Sequence, residues 1–67
     1  MVNVKINNKY GTVVGESISN YCVNVHVEGY ENRGKYAVLK SIENVTREDL
    51  EKASEEIMAR EVKKEEE

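Results

Sequence analysis

The chain has no proline, tryptophan or phenylalanine, and only one cysteine. Cys22 alone rules out a disulfide within the chain, and a lone thiol suits a reducing compartment better than an oxidising one. No apolar run approaches the ~20 residues of a membrane-spanning helix, and no charged, apolar and small-residue leader opens the sequence. The location expected from these absences is the cytoplasm. Sixty-seven residues leave room for one domain, residues 1–67, because chains usually divide only beyond ~200 residues. A domain this small hides only about 60% of the surface its unfolded chain exposes, so little stability is in reserve. Aromaticity rests entirely on four tyrosines.

Charge is plentiful but uneven. Residues 1–40 hold five cations against three acids, whereas residues 41–67 hold five cations against ten acids. The protein is therefore polarised, with a faintly basic front and an acidic back. A Glu-rich helix and tail keep a small protein soluble, and they also suit a basic protein partner or repel nucleic acid from that end.

Residues 1–45 read as β-rich. Val2, Val4 and Ile6 alternate with Asn3, Lys5 and Asn7, the period of a strand with one buried face. Asn7-Asn8 marks a tight turn, since Asn tolerates positive φ. A second strand starts at Tyr10 and runs to Val14. Gly15-Glu16-Ser17 and Ser19-Asn20 then form either a turn or a bulged continuation. Tyr21, Val23, Val25 and Val27 alternate most cleanly, placing Cys22, Asn24, His26 and Glu28 on the other face. A loop spans Gly29 to Gly34, with its reversal at Asn32-Arg33-Gly34. In Lys35–Lys40 the apolar residues Tyr36, Ala37, Val38 and Leu39 fall on both faces, which predicts a strand covered on both sides.

Residues 46–62 read as a helix. Thr46 and Asp49 have the spacing of a capping box, and Val45 and Leu50 that of a hydrophobic staple. Glu48 and Asp49 lie near the positive end of the helix dipole. Leu50, Ala53, Ile57 and Met58 recur at helical spacing. Residues 63–67 form a frayed acidic tail. The order β-β-β-β-α defines an α+β domain, a four-stranded antiparallel meander covered by one C-terminal helix. The alternative is a small SH3-like barrel with the helix appended, which requires bends at Gly11 and Gly15.

Catalytic chemistry is poorly supplied. His26 is the single histidine, and Cys22, Ser17, Ser19 and Ser41 have no base with an orienting partner nearby in sequence. Cys22 and His26 share a strand face, yet four residues of strand separate them by roughly 13 Å. One zinc ion needs ligand atoms about 2 Å away. Gly11-x-x-x-Gly15 lacks the Lys-Ser/Thr and the following helix of a phosphate loop. Asn44-Val45-Thr46 matches a glycosylation acceptor but is better explained as the entry to the helix. No catalytic, metal-binding or cofactor-binding residue is expected.

What is present is surface. Cys22, Asn24 and His26 form a polar sheet face, which Asn3, Lys5 and Asn7 join if the first and third strands are neighbours; Tyr10 and Tyr30 fall at strand ends or loops, and Lys9, Arg33 and Lys35 are the further cations of a candidate binding surface. Edge tyrosines stack on bases in single-strand binders, but they also line protein interfaces and half-cover small cores. Five scattered cations are a weak footprint beside the dense basic stripes of dedicated nucleic-acid binders. The leading expectation is a non-catalytic protein-interaction module of regulatory or inhibitor type, with homodimerisation compatible. The alternatives are a weak nucleic-acid binder using that face, and a structural subunit repeating by strand pairing. A β-rich front with an acidic helical tail occurs among antitoxin-like and phage-encoded inhibitor-like proteins, an analogy of layout and not of motif.

Overall fold

The computed structural model describes residues 3–60. Val2, Val62 and the expected tail 63–67 lie outside them. Four strands, β1 (Asn3–Asn8), β2 (Gly11–Ser19), β3 (Cys22–Val27) and β4 (Tyr36–Val38), precede one helix, α1 (Arg47–Ala59). The sheet is antiparallel throughout, in the order β1-β2-β3-β4. β1 and β4 do not pair, so the sheet is open and the barrel alternative does not form. β1 and β3 are separated by β2 and are not neighbours.

One face of the sheet makes the core. The register aligns Ile6, Val13 and Val27 in one row, and Val4, Gly15, Val25 and Tyr36 in the next. Val13, Val23, Val25, Val27 and Val38 are buried against Leu50, Ala53 and Ile57 of α1, with Met58 half-buried beside them. The helical stripe therefore covers the sheet as its spacing predicts. Gly15 sits beneath the helix because nothing larger fits: a Cβ there would lie 3.1 Å from Leu50 Cδ2 and 3.2 Å from both Val23 and Val4. Its role is close approach, not a bend.

The helix begins as expected. Thr46 Oγ1 accepts from the Asp49 amide at 3.2 Å, and Asp49 Oδ2 accepts from the Thr46 amide at 3.0 Å. Lys40 Nζ donates to the same carboxylate at 2.8 Å, so Asp49 joins the β4 exit to the helix start. Ser54, wholly buried, is the polar exception in the core. Its hydroxyl donates to the Glu51 carbonyl at 2.7 Å and accepts from Asn8 Nδ2 at 3.1 Å, tying the first hairpin to the helix.

Three local expectations are corrected, and one pair of alternatives is decided. The first turn is Lys9-Tyr10, not Asn7-Asn8, and β2 begins at Gly11, not Tyr10. Asn8 contributes its side chain, whose Oδ1 accepts from the Tyr10 amide at 2.9 Å, and the positive φ of 110° falls on Gly11. Of the two readings of residues 15–19 the bulged continuation holds: β2 runs through them with a register shift between Ser17 and Ser19. Tyr21 is not on the buried face with Val23, because it lies in the β2–β3 turn and is 78% exposed. The strand from Lys35 shrinks to three residues at the sheet edge, with Ala37 and Leu39 open to solvent. A single helix covers only one face, so an apolar residue on the other face of an edge strand has nothing to pack against.

Candidate functional site

The eight residues singled out from the sequence fall into separate places. Lys5, Asn24 and His26 lie on the uncovered face. Lys5 and His26 flank Val14 in one row, and Asn24 sits between Glu16 and Ala37 in the next. Val14 is buried although no helix covers it, and His26 Nδ1 is enclosed without a hydrogen-bond partner among the described residues. Cys22 and His26 lie on this face of one strand, four residues apart, a spacing that does not let both reach one ion. Among the described residues no three His, Cys, Asp or Glu side chains are grouped to hold a metal.

Lys9 and Tyr10 form the first turn, at the end of the sheet beside the helix. The Lys9 ammonium lies 5.2 Å from the Tyr10 ring centre and 3.9 Å from Glu55. Both charged partners are largely exposed, so the pair contributes little. Asn8, Lys9, Tyr10, Glu51 and Glu55 line a shallow cleft of about 230 Å³ there. Tyr10 and Tyr36 pack partly against the core, as half-covering residues do. Tyr30 and Arg33 share the loop after β3, where a 3-10 turn spans Glu31–Arg33. Arg33 lies over the Tyr30 ring at 5.7 Å. Its guanidinium is turned to the end of α1, donating to the Arg60 carbonyl at 2.6 Å. Lys35 is exposed just before β4. The cations are thus divided between an uncovered sheet face, a hairpin tip and a helix end.

The opposite end of the sheet holds what the sequence reading missed. Ile18 is 55% exposed at the β2 register shift, Tyr21 is 78% exposed in the following turn, and Leu39 is 80% exposed beyond β4. The placement of Leu39 has a mechanical cause. Val38 before it is held in the core, and Lys40 after it is tied to Asp49. The Lys40 amide also bonds the Val38 carbonyl at 2.9 Å, closing a three-residue turn with Leu39 at its apex. Because Val23 opposes Val38 and Ser19 opposes Cys22, Ile18, Tyr21 and Leu39 all belong to this end. A cleft of about 240 Å³ opens here, lined by Ser17, Ser19, Asn20, Ser41, Ile42 and Glu43. Its walls come from the β2–β3 hairpin and from a 3-10 turn at Ile42–Asn44. One signal was legible: Ile18 stands alone between serines in a stretch already marked as a candidate bulge, and bulges often re-aim side chains.

The chain matches no known family model, no curated protein and no solved structure. Among the described residues no helix is long and apolar enough to cross a membrane.

Proposed function

We propose that this chain is a non-catalytic protein-interaction module of the cytoplasm, a small accessory protein of regulatory or inhibitor type that docks through the β2–β3 end of its sheet. One observation carries the reading. Of the four large apolar side chains exposed among the described residues, three, Ile18, Tyr21 and Leu39, lie at one end of the domain, and Tyr30, the least exposed of them, lies in the loop after β3. A small domain has few large apolar side chains to spare, and their grouping at one end favours a docking surface over scattered exposure. Tyr is also among the residues that anchor interfaces most effectively. The lone thiol of Cys22 supports the reducing location.

Nucleic-acid binding has weaker support, because Lys5, Lys9, Arg33 and Lys35 do not share one face and Arg33 is committed to the helix end. The test is photo-crosslinking in nuclease-treated lysate from a probe at Leu39, against a probe at Lys52 on the exposed side of α1. The expected result is a discrete protein adduct from position 39, lost when Tyr21 is changed to Ala. Equal labelling from both positions, or an adduct that nuclease removes, would overturn the reading.

A further inference from the structure

Of the two edges of the sheet, β1 is the longer and the more open. β4 is three residues long, and at its end the Lys40 amide closes a turn onto the Val38 carbonyl. β1 runs for six residues, and among the described residues no strand pairs with its outer side. In an antiparallel ladder successive residues turn their main-chain groups alternately toward the neighbouring strand and away from it. Two bonds fix the phase on β1. The Asn7 carbonyl accepts from Arg47 Nη2 at 2.8 Å, and the carbonyl of Thr12, opposite Asn7, accepts from the Glu28 amide of the far side at 2.9 Å. Asn3, Lys5 and Asn7 therefore turn their amides and carbonyls outward, and Arg47 closes that row at the Asn7 carbonyl. The side chains beside the row are sorted by face. Val4 and Ile6, toward the helix, are only half-buried against the core. Lys5 is exposed on the other face beside Val14, and it takes part in none of the ion pairs among the described residues.

From this edge we infer that the protein takes an extended segment of a partner protein as a fifth strand alongside β1. The segment sets apolar side chains beside Val4 and Ile6, and an aspartate or glutamate between them against Lys5. Strand addition draws affinity from main-chain hydrogen bonds and selectivity from alternate side chains. Opposite charges directly across a ladder are favourable, and like charges are not. The inference is independent of the docking reading above, because it uses β1 and none of Ile18, Tyr21 and Leu39. A second copy fits this edge poorly. Antiparallel pairing centred on Lys5 sets that lysine against its own counterpart and needs the Asn7 carbonyl that Arg47 holds. Pairing centred on Val4 leaves only Asn3 and Lys5 of each described strand in the ladder, and β4 of a second copy offers three residues. A lysine in mid-edge is also a common device against pairing of like strands.

The test changes one main-chain atom. The full chain is assembled by chemical ligation at Cys22, with and without a methyl group on the Lys5 amide nitrogen, which removes an outward donor and leaves the bonds to β2 in place. A random peptide display library is selected on three immobilised forms: the native chain, the N-methylated chain and Lys5→Glu. Unchanged far-UV spectra and melting curves confirm intact folds; methylation of the Asn3 amide and Lys5→Gln serve as second variants should either change disturb the fold. The native chain is expected to enrich peptides with Asp or Glu between two apolar residues at alternate positions. Methylation should weaken the selected peptides about tenfold, through one lost hydrogen bond and a methyl group in the gap. Lys5→Glu should shift enrichment toward Lys or Arg at the acidic position. No enrichment on the native chain, or equal binding to the native and methylated chains, would overturn the inference. An acidic preference that Lys5→Glu leaves unchanged would overturn it as well. Self-association in sedimentation that methylation abolishes would assign the edge to a second copy and overturn it.

Discussion

Arg33 and Arg60 each donate to the other's backbone: Arg33 Nη1 to the Arg60 carbonyl at 2.6 Å, and Arg60 Nη1 to the Arg33 carbonyl at 3.0 Å. Two like charges are held side by side because each answers a main-chain acceptor that secondary structure leaves unpaired. The last carbonyls of a helix have no partner within it, and that end carries the negative pole of the helix dipole. The exchange therefore caps α1 and fastens the β3–β4 loop to it.

Arg33→Lys keeps the charge but loses the planar fork that reaches the carbonyl. The last turn of α1 should then fray, with faster amide exchange at Met58 to Arg60 and a stability loss of about 1 kcal/mol. Unchanged exchange there would show that the loop contributes nothing to the helix end.

The acid limb of stability should depend on Asp49. Its carboxyl is held below its ordinary value of 3.8, first by the hydrogen bond from Lys40 and next by that from the Thr46 amide. A carboxyl with a depressed folded pKa stabilises the fold above its unfolded value, and loses that contribution as pH falls through the folded one. Asp49→Asn should therefore lower the melting midpoint at pH 7 and narrow the gap to wild type as the pH falls below about 4. A gap that stays constant from pH 7 to pH 2 would contradict the assignment. Thr46→Ala should cost ~1 kcal/mol through the same cap.

Gly15→Ala adds a methyl group where Leu50, Val23 and Val4 already stand within 3.2 Å. Overpacking of this kind costs typically about 1–3 kcal/mol. Leu50→Val shortens the closest neighbour, so the two changes should be non-additive, with the double variant more stable than the sum of the singles predicts. Strict additivity in denaturant melts would mean that the backbone yields and Leu50 is not the obstacle.

Truncation before Asp49 removes Leu50, Ala53 and Ile57, the cover of an open sheet. Residues 1–48 should aggregate or lose cooperative unfolding, since a sheet with a bare apolar face is not independently stable. A monomeric fragment with a sharp melt would require the sheet to cover itself.

Much of this architecture was legible because it depends on local chemistry. Alternation in Val23, Val25 and Val27 reflects a strand's two-residue period, and the Thr46–Asp49 box needs only a separation of three residues. Leu50, Ala53 and Ile57 lie on one face of any helix. These features follow from covalent geometry and do not depend on what lies opposite. The first turn already shows the limit. Asn8 and Gly11 divided between them the work assigned to Asn7-Asn8, because a side-chain acceptor and a flexible backbone are interchangeable ways to close a hairpin.

Which face of an element is buried depends on how many other elements exist to cover it. Tyr36, Ala37, Val38 and Leu39 read as a strand enclosed on both sides, and Val38 alone is enclosed. Among the described residues one helix covers a four-stranded sheet, so the second face stays open and β4 lies at the edge. Sequence by itself determined the order of elements, the helix cap and the core alternation, all set by spacings of a few residues. Tertiary structure alone decided that Ile18, Tyr21 and Leu39 share one end, because only the register of strands twenty residues apart brings them there.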